Sequence, residues 1–313
     1  MGIGIVGFLG GYLIKPSFLR KLSVPFLLLS IIFLAAVFIP GLGIEHGGSY
    51  RWISFRGVSF QPSEIGKLAL LFYVASWLAS HKKEITSLTK GFLPFLALTI
   101  PIPFLILLEP NLSNFGICAL LIVMLLFIGG ARVLHLTSLV FITILLFFGV
   151  LLFLPNRLER VLTFLNPHID PQGASFQINQ SLIAIGSGGI TGKGLGESIQ
   201  KTGFLPEPSG DSIFAIVSEE FGFLGSAFLV GIYLLLVLEG IIIARRNKDQ
   251  FSQYIAIGFS SLVALQAFIN ISAVIALLPL TGVTLPFISY GGTSLATFLG
   301  ASGVVARIAK RAS

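Results

Sequence analysis

The chain has 313 residues, of which 55% are hydrophobic and 11% charged, and its mean hydropathy is +0.96. An ordinary soluble domain carries about 25% charged residues, so this composition excludes a water-soluble globular fold. The formal charge of +7 does not indicate a nucleic-acid partner, because the cations stand in short clusters between hydrophobic runs.

Apolar runs long enough to cross about 30 Å of hydrocarbon recur along the chain. Lipid offers no partner for an open backbone amide, so each run is predicted to be a helix. We predict an all-α, polytopic membrane protein that forms a single domain over 1–313, with about nine spans. They are 1–14, 22–40, 64–80, 92–108, 112–128, 133–154, 223–244, 254–276 and 289–306. The first is shorter than a full span, which suggests that sequence is missing before it.

The distribution of Lys and Arg predicts the orientation, because cytoplasmic loops are enriched in both. Alternate connections on one side hold thirteen of the 20 cations: Lys15, Arg20, Lys21, Lys82, Lys83, Lys90, Arg132, Arg245, Arg246, Lys248, Arg307, Lys310 and Arg311. This side, with the C-terminus, is predicted to be cytoplasmic. The outer face then carries the connections 41–63, 109–111, 155–222 and 277–288.

The outer connection 155–222 is far longer than a turn requires, and loops of such length are usually functional or disordered. Ile178, Leu182, Ile183 and Ile185 recur at roughly helical spacing, which predicts an amphipathic helix rather than disorder. We therefore expect the functional residues on the outer face.

The first polar outer segment contains Arg51 and ends in Gln61, Pro62, Ser63 and Glu64, just before a span. Ser63 is predicted to cap that helix, and Glu64 lies at the positive end of its dipole. Glu64 and Lys67 are three residues apart and share a helix face. Ionisable groups at membrane depth indicate either a substrate site or a structural ion pair, and both interpretations stay open.

The second segment surrounds Lys193 with glycines, a pattern that lets backbone amides approach an anion. Asp211 follows a Pro-rich and Gly-rich stretch and stands at the predicted start of a helix. It is either a catalytic carboxylate or a helix cap, as most such aspartates are. Glu219 and Glu220 follow on the same helix, either as site residues or as polar anchors at the membrane surface.

The third segment begins with Asn270 and continues through 278–294, where Pro279, Pro286 and several glycines stand in apolar sequence before Ser289. This pattern predicts a broken or re-entrant piece, and a plain tight turn is the alternative. Cys118 is the only cysteine, so no intrachain disulfide forms. The four histidines lack the spacing of metal ligands.

These segments resemble the SEDS (FtsW/RodA/SpoVE) family over essentially the whole chain. The matching motifs are GGSYRWI at 47–53, QPSE at 61–64, GKGLGES and QKTGFLPEP within 192–208, DSIFAIVSEEFG at 211–222, QAFINIS at 266–272 and LPLTGVTLPFISYGGTS at 278–294. The last motif is more similar to the FtsW (division) branch than to the RodA (elongation) branch.

The chain also departs from the family pattern. Members usually have ten spans, so the resemblance implies that the first is absent. Ser209 and Gly210 stand where His and Thr are common, and Ser212 where Phe is common. Glu109, Pro110, Asn111 and Leu112 replace the usual Gln-Pro-Asp-Leu. These changes put the geometry of the loop around Asp211 in doubt.

The resemblance implies a peptidoglycan glycosyltransferase that polymerises lipid II, a disaccharide-pentapeptide on undecaprenyl pyrophosphate, at the outer face of the bacterial cytoplasmic membrane. In this interpretation Asp211 is the general base for an inverting transfer. Arg51, Lys67 and Lys193 are candidates for pyrophosphate contact, and the remaining substrate-binding candidates are Glu64, Glu219, Glu220 and Ser289. The implied partner is a class B penicillin-binding protein, a transpeptidase. No organic cofactor is expected, and a role for a divalent cation stays open.

Two other function classes are weighed against this enzyme. A flippase for the lipid-linked precursor would place functional polar groups along a path through the membrane and show weak inverted repeats. Neither is clear in this sequence, where nearly all acidic candidates lie outside. A non-catalytic division scaffold would retain its function after Asp211→Ala.

Overall fold

The computed structural model of the chain describes residues 2–46, 49–55, 57–166 and 175–312. Gly47 and Gly48 of the first motif and His168 lie outside these residues. The helices are α1 Gly2–Leu13, α2 Pro16–Ala36, α3 Pro62–Ser80, α4 Leu93–Thr99, α5 Pro101–Leu108, α6 Leu112–Ile128, α7 Val133–Phe153, α8 Pro155–Leu165, α9 Phe176–Gly188, α10 Ile213–Arg246, α11 Gln250–Val274 and α12 Gly292–Ala312. A π-helical turn, Leu88–Phe92, precedes α4, and a 3-10 turn covers Gln200–Thr202.

The predicted helical, membrane-spanning architecture is confirmed. Within the described residues, six helices are long and apolar enough to cross a membrane: Pro16–Ala36, Leu88–Leu108, Val133–Phe153, Ile213–Arg246, Gln250–Val274 and Gly292–Arg311. Gly2–Leu13 and Leu112–Ile128 are shorter apolar helices. The number of spans in the whole protein stays a prediction.

Helices α2 and α10 begin well before their predicted spans, whereas the starts of α3 and α11 differ by two and four residues. Helix α2 begins at Pro16 rather than at residue 22, because proline is favoured in the first helical turn, where its missing N–H is not needed. Helix α10 begins at Ile213, ten residues before the predicted span, and is kinked at Gly222, whose φ is 66°. The polar pair Glu219 and Glu220 therefore lies in the first part of this helix.

A small antiparallel sheet in the connection 41–63 was not predicted. Its strands are β1 Gly43–His46, β2 Ser49–Phe55 and β3 Val58–Phe60, in the order β1-β2-β3. Phe60 of the sheet packs edge-on against Phe33 of α2, with ring centroids 5.6 Å apart. Strand β2 carries Arg51 of the first candidate segment.

The chain divides into two compact units. Unit 1 comprises Met1–Phe148, Leu238–Leu262 and Gly292–Ser313. In this unit α3 is buried around most of its circumference, including Glu64 and Lys67. Helices α1 and α12 approach closely through glycines, since a Cβ at Gly11 would collide with the carbonyl oxygen of Gly300.

Unit 2 comprises Gly149–Val237 and Val263–Gly291 and contains most of the long outer connection. The helix predicted around Ile178 is present as α9, which buries Ile178 and exposes Leu182. The glycine-rich segment after α9 packs against the kink of α10. The amides of Phe223 and Leu224 donate to the carbonyls of Gly189 and Ile190 at 2.9 and 3.1 Å. Residues 277–291 are irregular, as predicted for the third segment.

Candidate active site

Asp211 lies in the turn that precedes α10, two residues before the first helical residue. Its carboxyl oxygen Oδ1 is buried and, among the described residues, has no hydrogen-bond partner. In an aspartate that served only as a helix cap, a carboxyl oxygen would accept a hydrogen bond from a backbone amide. Buried polar atoms without partners are rare in folded proteins and call for an explanation. Oδ1 is therefore not committed to a contact within the described residues, which favours a role beyond that of a helix cap.

The backbone around Asp211 is held by the third segment. Asn270 of α11 donates from Nδ2 to the carbonyl of Asp211 at 2.8 Å and to the carbonyl of Val283 at 2.7 Å. Asn270 is 1% exposed, so these two bonds form away from solvent. One amide thus fixes the Asp211 turn and the irregular stretch to each other.

Ser289 makes a second link between the same two segments. Its hydroxyl donates to the carbonyl of Gly210 at 2.6 Å and accepts from the amide of Leu285 at 2.7 Å. The amide of Tyr290 donates to the carbonyl of Ser209 at 2.7 Å. Ser209 and Gly210 depart from the family pattern, but their carbonyls are anchored by backbone and hydroxyl groups. Both side-chain contacts of Ser289 are to backbone, which favours positioning of the Asp211 turn over direct contact with a substrate.

The surroundings of Asp211 raise its pKa to about 6. Burial is the largest cause, since it disfavours the charged form, and Glu207 adds like-charge repulsion. The amides of Asp211 and Ser212 and the guanidinium of Arg160 act in the opposite direction. The sequence left open whether burial or the helix start would dominate, and in this structure burial does. A carboxylate with a pKa close to neutral is well suited to general-base catalysis.

Lys193 and Glu219 form an ion pair in unit 2, with Nζ 2.7 Å from Oε1. Glu219 has a fully buried side chain and also accepts from the hydroxyl of Ser198 at 2.6 Å and from the amides of Ile199 and Gln200 at 3.3 Å. Glu219 thus ties the glycine-rich segment to α10, a structural role that differs from the surface anchor considered as the alternative to a site role. Lys193 keeps 30% of its side chain exposed, so the outer part of this cation is accessible.

The glycine-rich segment does not offer all its amides to an anion. The amides of Lys193 and Gly194 donate to the carbonyls of Glu219 and Glu220, both at 3.0 Å. Lys201 pairs with Glu220 at 2.7 Å and repeats the Lys193 arrangement one residue along α10. These two amides were predicted to be able to approach an anion, but in the structure they are bonded to carbonyls of α10.

Glu64 and Lys67 form a buried ion pair in unit 1, with Nζ 2.7 Å from Oε1 and side chains 5% and 1% exposed. Glu64 lies in the first turn of α3, as predicted. The prediction that Ser63 caps this helix was wrong, because Pro62 is already helical and Gln61 occupies the cap position. Proline in the first turn moves the helix start towards the N-terminus.

Arg51 contacts the link between α5 and α6. Its Nη2 donates to the carbonyl of Pro110 at 2.6 Å, and its Nε to the carbonyl of Glu109 at 3.3 Å. Glu109 is 1% exposed, and its two carboxyl oxygens have no hydrogen-bond partner among the described residues. Burial raises the pKa of Glu109 to about 8, against a lowering by the Arg51 charge.

The structure links Ser289 to the turn that carries Asp211, and it pairs Lys193 with Glu219 and Glu64 with Lys67. The sequence interpretation missed Asn270 and Arg160 as neighbours of Asp211, and Glu109 as a neighbour of Arg51. Asn270 lies in the QAFINIS motif, and Glu109 lies where the chain departs from the family pattern. Both positions could therefore have been selected as candidates from the sequence. Among the described residues, no group of three or more His, Cys, Asp or Glu side chains is placed to hold a metal ion.

Several known proteins are similar to this chain over most of its length. A family model described as "Cell cycle protein" (FTSW_RODA_SPOVE) matches residues 1–313. The chain is 42% identical over 277 residues to "Stage V sporulation protein E" of Bacillus subtilis, covering 88% of this chain and 76% of the relative. It is 38% identical over 292 residues to "Probable peptidoglycan glycosyltransferase FtsW" of Geobacter metallireducens, covering 93% and 78%.

Two solved structures are similar along nearly the whole chain. One belongs to a peptidoglycan synthase complex studied for how it coordinates polymerization and crosslinking, with a TM-score of 0.81, 27% identity and coverage of 99% of this chain and 87% of the other. The other is the rod shape determining protein RodA of Thermus thermophilus, with a TM-score of 0.72, 26% identity and coverage of 99% and 84%.

Proposed function

The chain belongs to the FtsW/RodA/SpoVE family of multi-pass membrane proteins of peptidoglycan synthesis, and we propose that it polymerises lipid II with Asp211 as general base. The observation that carries the proposal is the Asp211 carboxyl, which is buried, lacks a partner at Oδ1 among the described residues and is held by its backbone. Relatives named as peptidoglycan glycosyltransferases support the same reaction class.

In the proposed reaction, Asp211 accepts the proton of the GlcNAc 4-hydroxyl of one lipid-linked saccharide. The freed oxygen attacks the anomeric carbon of a second lipid-linked saccharide from the side opposite the pyrophosphate. The new glycosidic bond forms as the bond from carbon to pyrophosphate oxygen breaks, so the anomeric configuration inverts. A pKa of about 6 leaves Asp211 ionised at neutral pH and still basic enough to share the proton.

The leaving group requires positive charge more than a proton. Pyrophosphate is a good leaving group, so the second carboxylic acid that an inverting glycosidase uses can be dispensed with. Arg51, Lys67 and Lys193 remain our candidates for this contact, since fixed cations stabilise a charge that develops in the transition state. Arg160 joins them, because its charge acts on Asp211 and its side chain is exposed.

The lysines differ in how readily they reach a ligand. Lys67 is 1% exposed and already paired with Glu64, so direct contact with a ligand would require this pair to rearrange. Lys193 is 30% exposed, which leaves room for an anion beside its pair with Glu219. Glu64, Glu219, Glu220 and Ser289 are then assigned to positioning these groups rather than to direct contact with the sugar.

We place the reaction at the outer face of the cytoplasmic membrane, with the C-terminus inside, on the strength of the Lys and Arg distribution. The proposed partner is a class B penicillin-binding protein. A similar solved structure belongs to a complex that coordinates polymerization with crosslinking, which supports pairing with a transpeptidase. The motif at 278–294 is more similar to the FtsW branch, which favours cell division as the process.

The function is tested with the full chain in vesicles, together with its candidate transpeptidase partner and purified fluorescent lipid II. The proposal expects glycan strands that increase in length with time and disappear on lysozyme digestion. Transfer of fluorescence between leaflets without strands would contradict it and favour a flippase. Recruitment of the partner with neither reaction would favour a scaffold.

A further inference from the structure

A basic cavity of about 970 Å³ opens in unit 1, whereas the Asp211 turn belongs to unit 2. Its charged lining consists of Arg20, Lys21, Arg246, Lys248, Asp249 and Arg311. Five cations and one carboxylate give a net charge of +4. All five cations lie on the membrane side that the Lys and Arg distribution predicts to be cytoplasmic, whereas the same distribution predicts that the proposed catalytic residues lie outside.

The single carboxylate of the cavity is already engaged. Asp249 accepts from the amide of Ser252 at 3.1 Å and from its hydroxyl at 2.7 Å, and so caps α11. No ion pair between described residues includes any of the five cavity cations. Their charge is therefore not neutralised within this part of the protein, and the cavity attracts anions.

Two of the cations are held on a fixed support. The side chain of Asn247 donates to the carbonyl of Ile243 at 2.9 Å, and Gln253 donates to the carbonyl of Asn247 at 2.6 Å. These bonds brace the end of α10, which carries Arg246, and the link to α11, which carries Lys248. A braced cation loses less side-chain and backbone freedom on binding than one on a free loop.

A third cation is braced from another helix. Nη2 of Arg20 donates to the hydroxyl of Ser80 at 2.8 Å, and that hydroxyl donates to the carbonyl of Ser76, another residue of the lining. The guanidinium is therefore held against the end of α3. The cavity is a preformed site with side chains from several helices, and its volume is at the upper end of the roughly 300 to 1,000 Å³ of typical ligand sites.

The walls of the cavity adjoin exposed apolar side chains on the lipid-facing surface of the helices. Phe18 and Leu22 of α2 are 54% and 37% exposed and adjoin Ser17 and Lys21 of the lining. Ile242 of α10 is 40% exposed and lies one turn from Arg246, on the membrane side. A ligand that places a phosphate among the cations can thus lay hydrocarbon on these side chains.

We propose that this cavity binds the phosphate headgroup of an anionic glycerophospholipid from the cytoplasmic leaflet. Basic pockets between transmembrane helices are suited to such headgroups, and arginine and lysine both donate to phosphate oxygens. Free phosphate or pyrophosphate shares the headgroup chemistry but cannot use Phe18, Leu22 and Ile242. The lipid therefore binds more tightly than the soluble anion.

The test uses delipidated, detergent-solubilised full chain and native mass spectrometry with phosphatidylglycerol or phosphatidylcholine of equal acyl length. We expect one tightly held phosphatidylglycerol and no comparable phosphatidylcholine. The double variant Arg246→Gln/Lys248→Gln weakens phosphatidylglycerol binding roughly 30-fold, because each basic residue near an anionic headgroup raises the affinity roughly fivefold. The matched variant Lys82→Gln/Lys83→Gln removes two exposed cations from the same side and leaves binding within about threefold, since charges outside the cavity are screened.

Three results would overturn the proposal: equal loss in both double variants, equal binding of the two lipids, or displacement of phosphatidylglycerol by inorganic pyrophosphate at the same concentration. The last result would make a soluble phosphate the ligand. If Arg246→Gln/Lys248→Gln does not fold, Lys21→Gln changes one exposed side chain of the lining and is expected to weaken binding roughly fivefold.

Discussion

The side chain of Asn270 donates to the backbone carbonyl of Asp211 at 2.8 Å, across 59 residues of sequence. The same amide group donates to the carbonyl of Val283 at 2.7 Å. Because Asn270 extends from a helix, it transmits the rigidity of α11 to a turn that has no regular structure. The position of the Asp211 carboxylate thus depends on a residue outside its own loop.

Asn270→Ala is expected to lower kcat for strand synthesis about 10-fold to 100-fold with a smaller change in KM, since small displacements of a reacting group are costly. It also lowers the free energy of unfolding by about 1–3 kcal/mol, because buried carbonyls lose their donor. Initial rates and thermal melts measure the two effects.

The matched control is Asn247→Ala, which also removes a buried amide-to-carbonyl hydrogen bond, to Ile243. It is expected to melt earlier but to keep its kcat. Equal loss of kcat in both variants would mean that general destabilisation, rather than the tether to Asp211, accounts for the Asn270 effect.

Asp211→Asn is expected to stabilise the protein at neutral pH. The folded pKa of about 6 lies above the ordinary value of 3.8, so the folded state holds the proton more tightly than the unfolded state. As pH rises through this interval, the unfolded chain ionises first and wild type loses stability relative to the variant. The difference in melting temperature therefore increases between about pH 4 and pH 6 and stays constant above. A difference that is independent of pH would contradict the raised pKa.

Two variants distinguish the contribution of the buried Glu64–Lys67 pair to stability from its contribution to activity. Glu64→Gln leaves the Lys67 charge buried without its carboxylate and is expected to cost about 3–5 kcal/mol of stability. The double variant Glu64→Leu/Lys67→Met replaces both charges by apolar groups of similar size and restores most of the melting temperature. We expect this folded variant to be inactive in strand synthesis. Recovery of activity together with stability would reduce the pair to a structural one.

Glu219 and Glu220 are adjacent, but they are expected to respond differently to the same change. Glu219→Gln disturbs contacts with Lys193, Ser198 and two backbone amides around a fully buried side chain. Glu220→Gln weakens its pair with Lys201, which is 35% exposed and therefore well solvated. Chemical denaturation should show the larger loss for Glu219→Gln. Equal losses would contradict the role of Glu219 in joining the glycine-rich segment to α10.

The helices followed from sequence because they depend on local pattern, and long apolar runs predict spans whatever their neighbours are. Local pattern left Asp211 as either a catalytic carboxylate or a helix cap, and its role as general base comes from the family resemblance and stays a proposal. The start of α2 was misplaced because Arg20 and Lys21 were excluded from an apolar run, although charged side chains are tolerated at the end of a membrane helix.

Other features depend on contacts between distant residues and could not be predicted locally. The sheet β1-β2-β3 consists of short strands whose pairing is a tertiary property. Neighbouring sequence does not show that Ser289 donates to Gly210, 79 residues away, or that Glu219 is fully buried. The balance between burial and helix amides at Asp211 likewise depends on how closely the third segment covers it.

The most direct measurement of the central claim is the rate of glycan-strand synthesis from lipid II by wild type, Asp211→Asn and the control Glu207→Gln, each with the candidate transpeptidase partner, from pH 5 to 8. Glu207 is exposed in the same loop, so its variant changes charge near the site without removing the base. The account predicts a wild-type rate that rises through an apparent pKa near 6, a similar profile for Glu207→Gln with its rise at lower pH, and no strands from folded Asp211→Asn. Strand synthesis by Asp211→Asn at the wild-type rate would contradict the assignment of Asp211 as the general base.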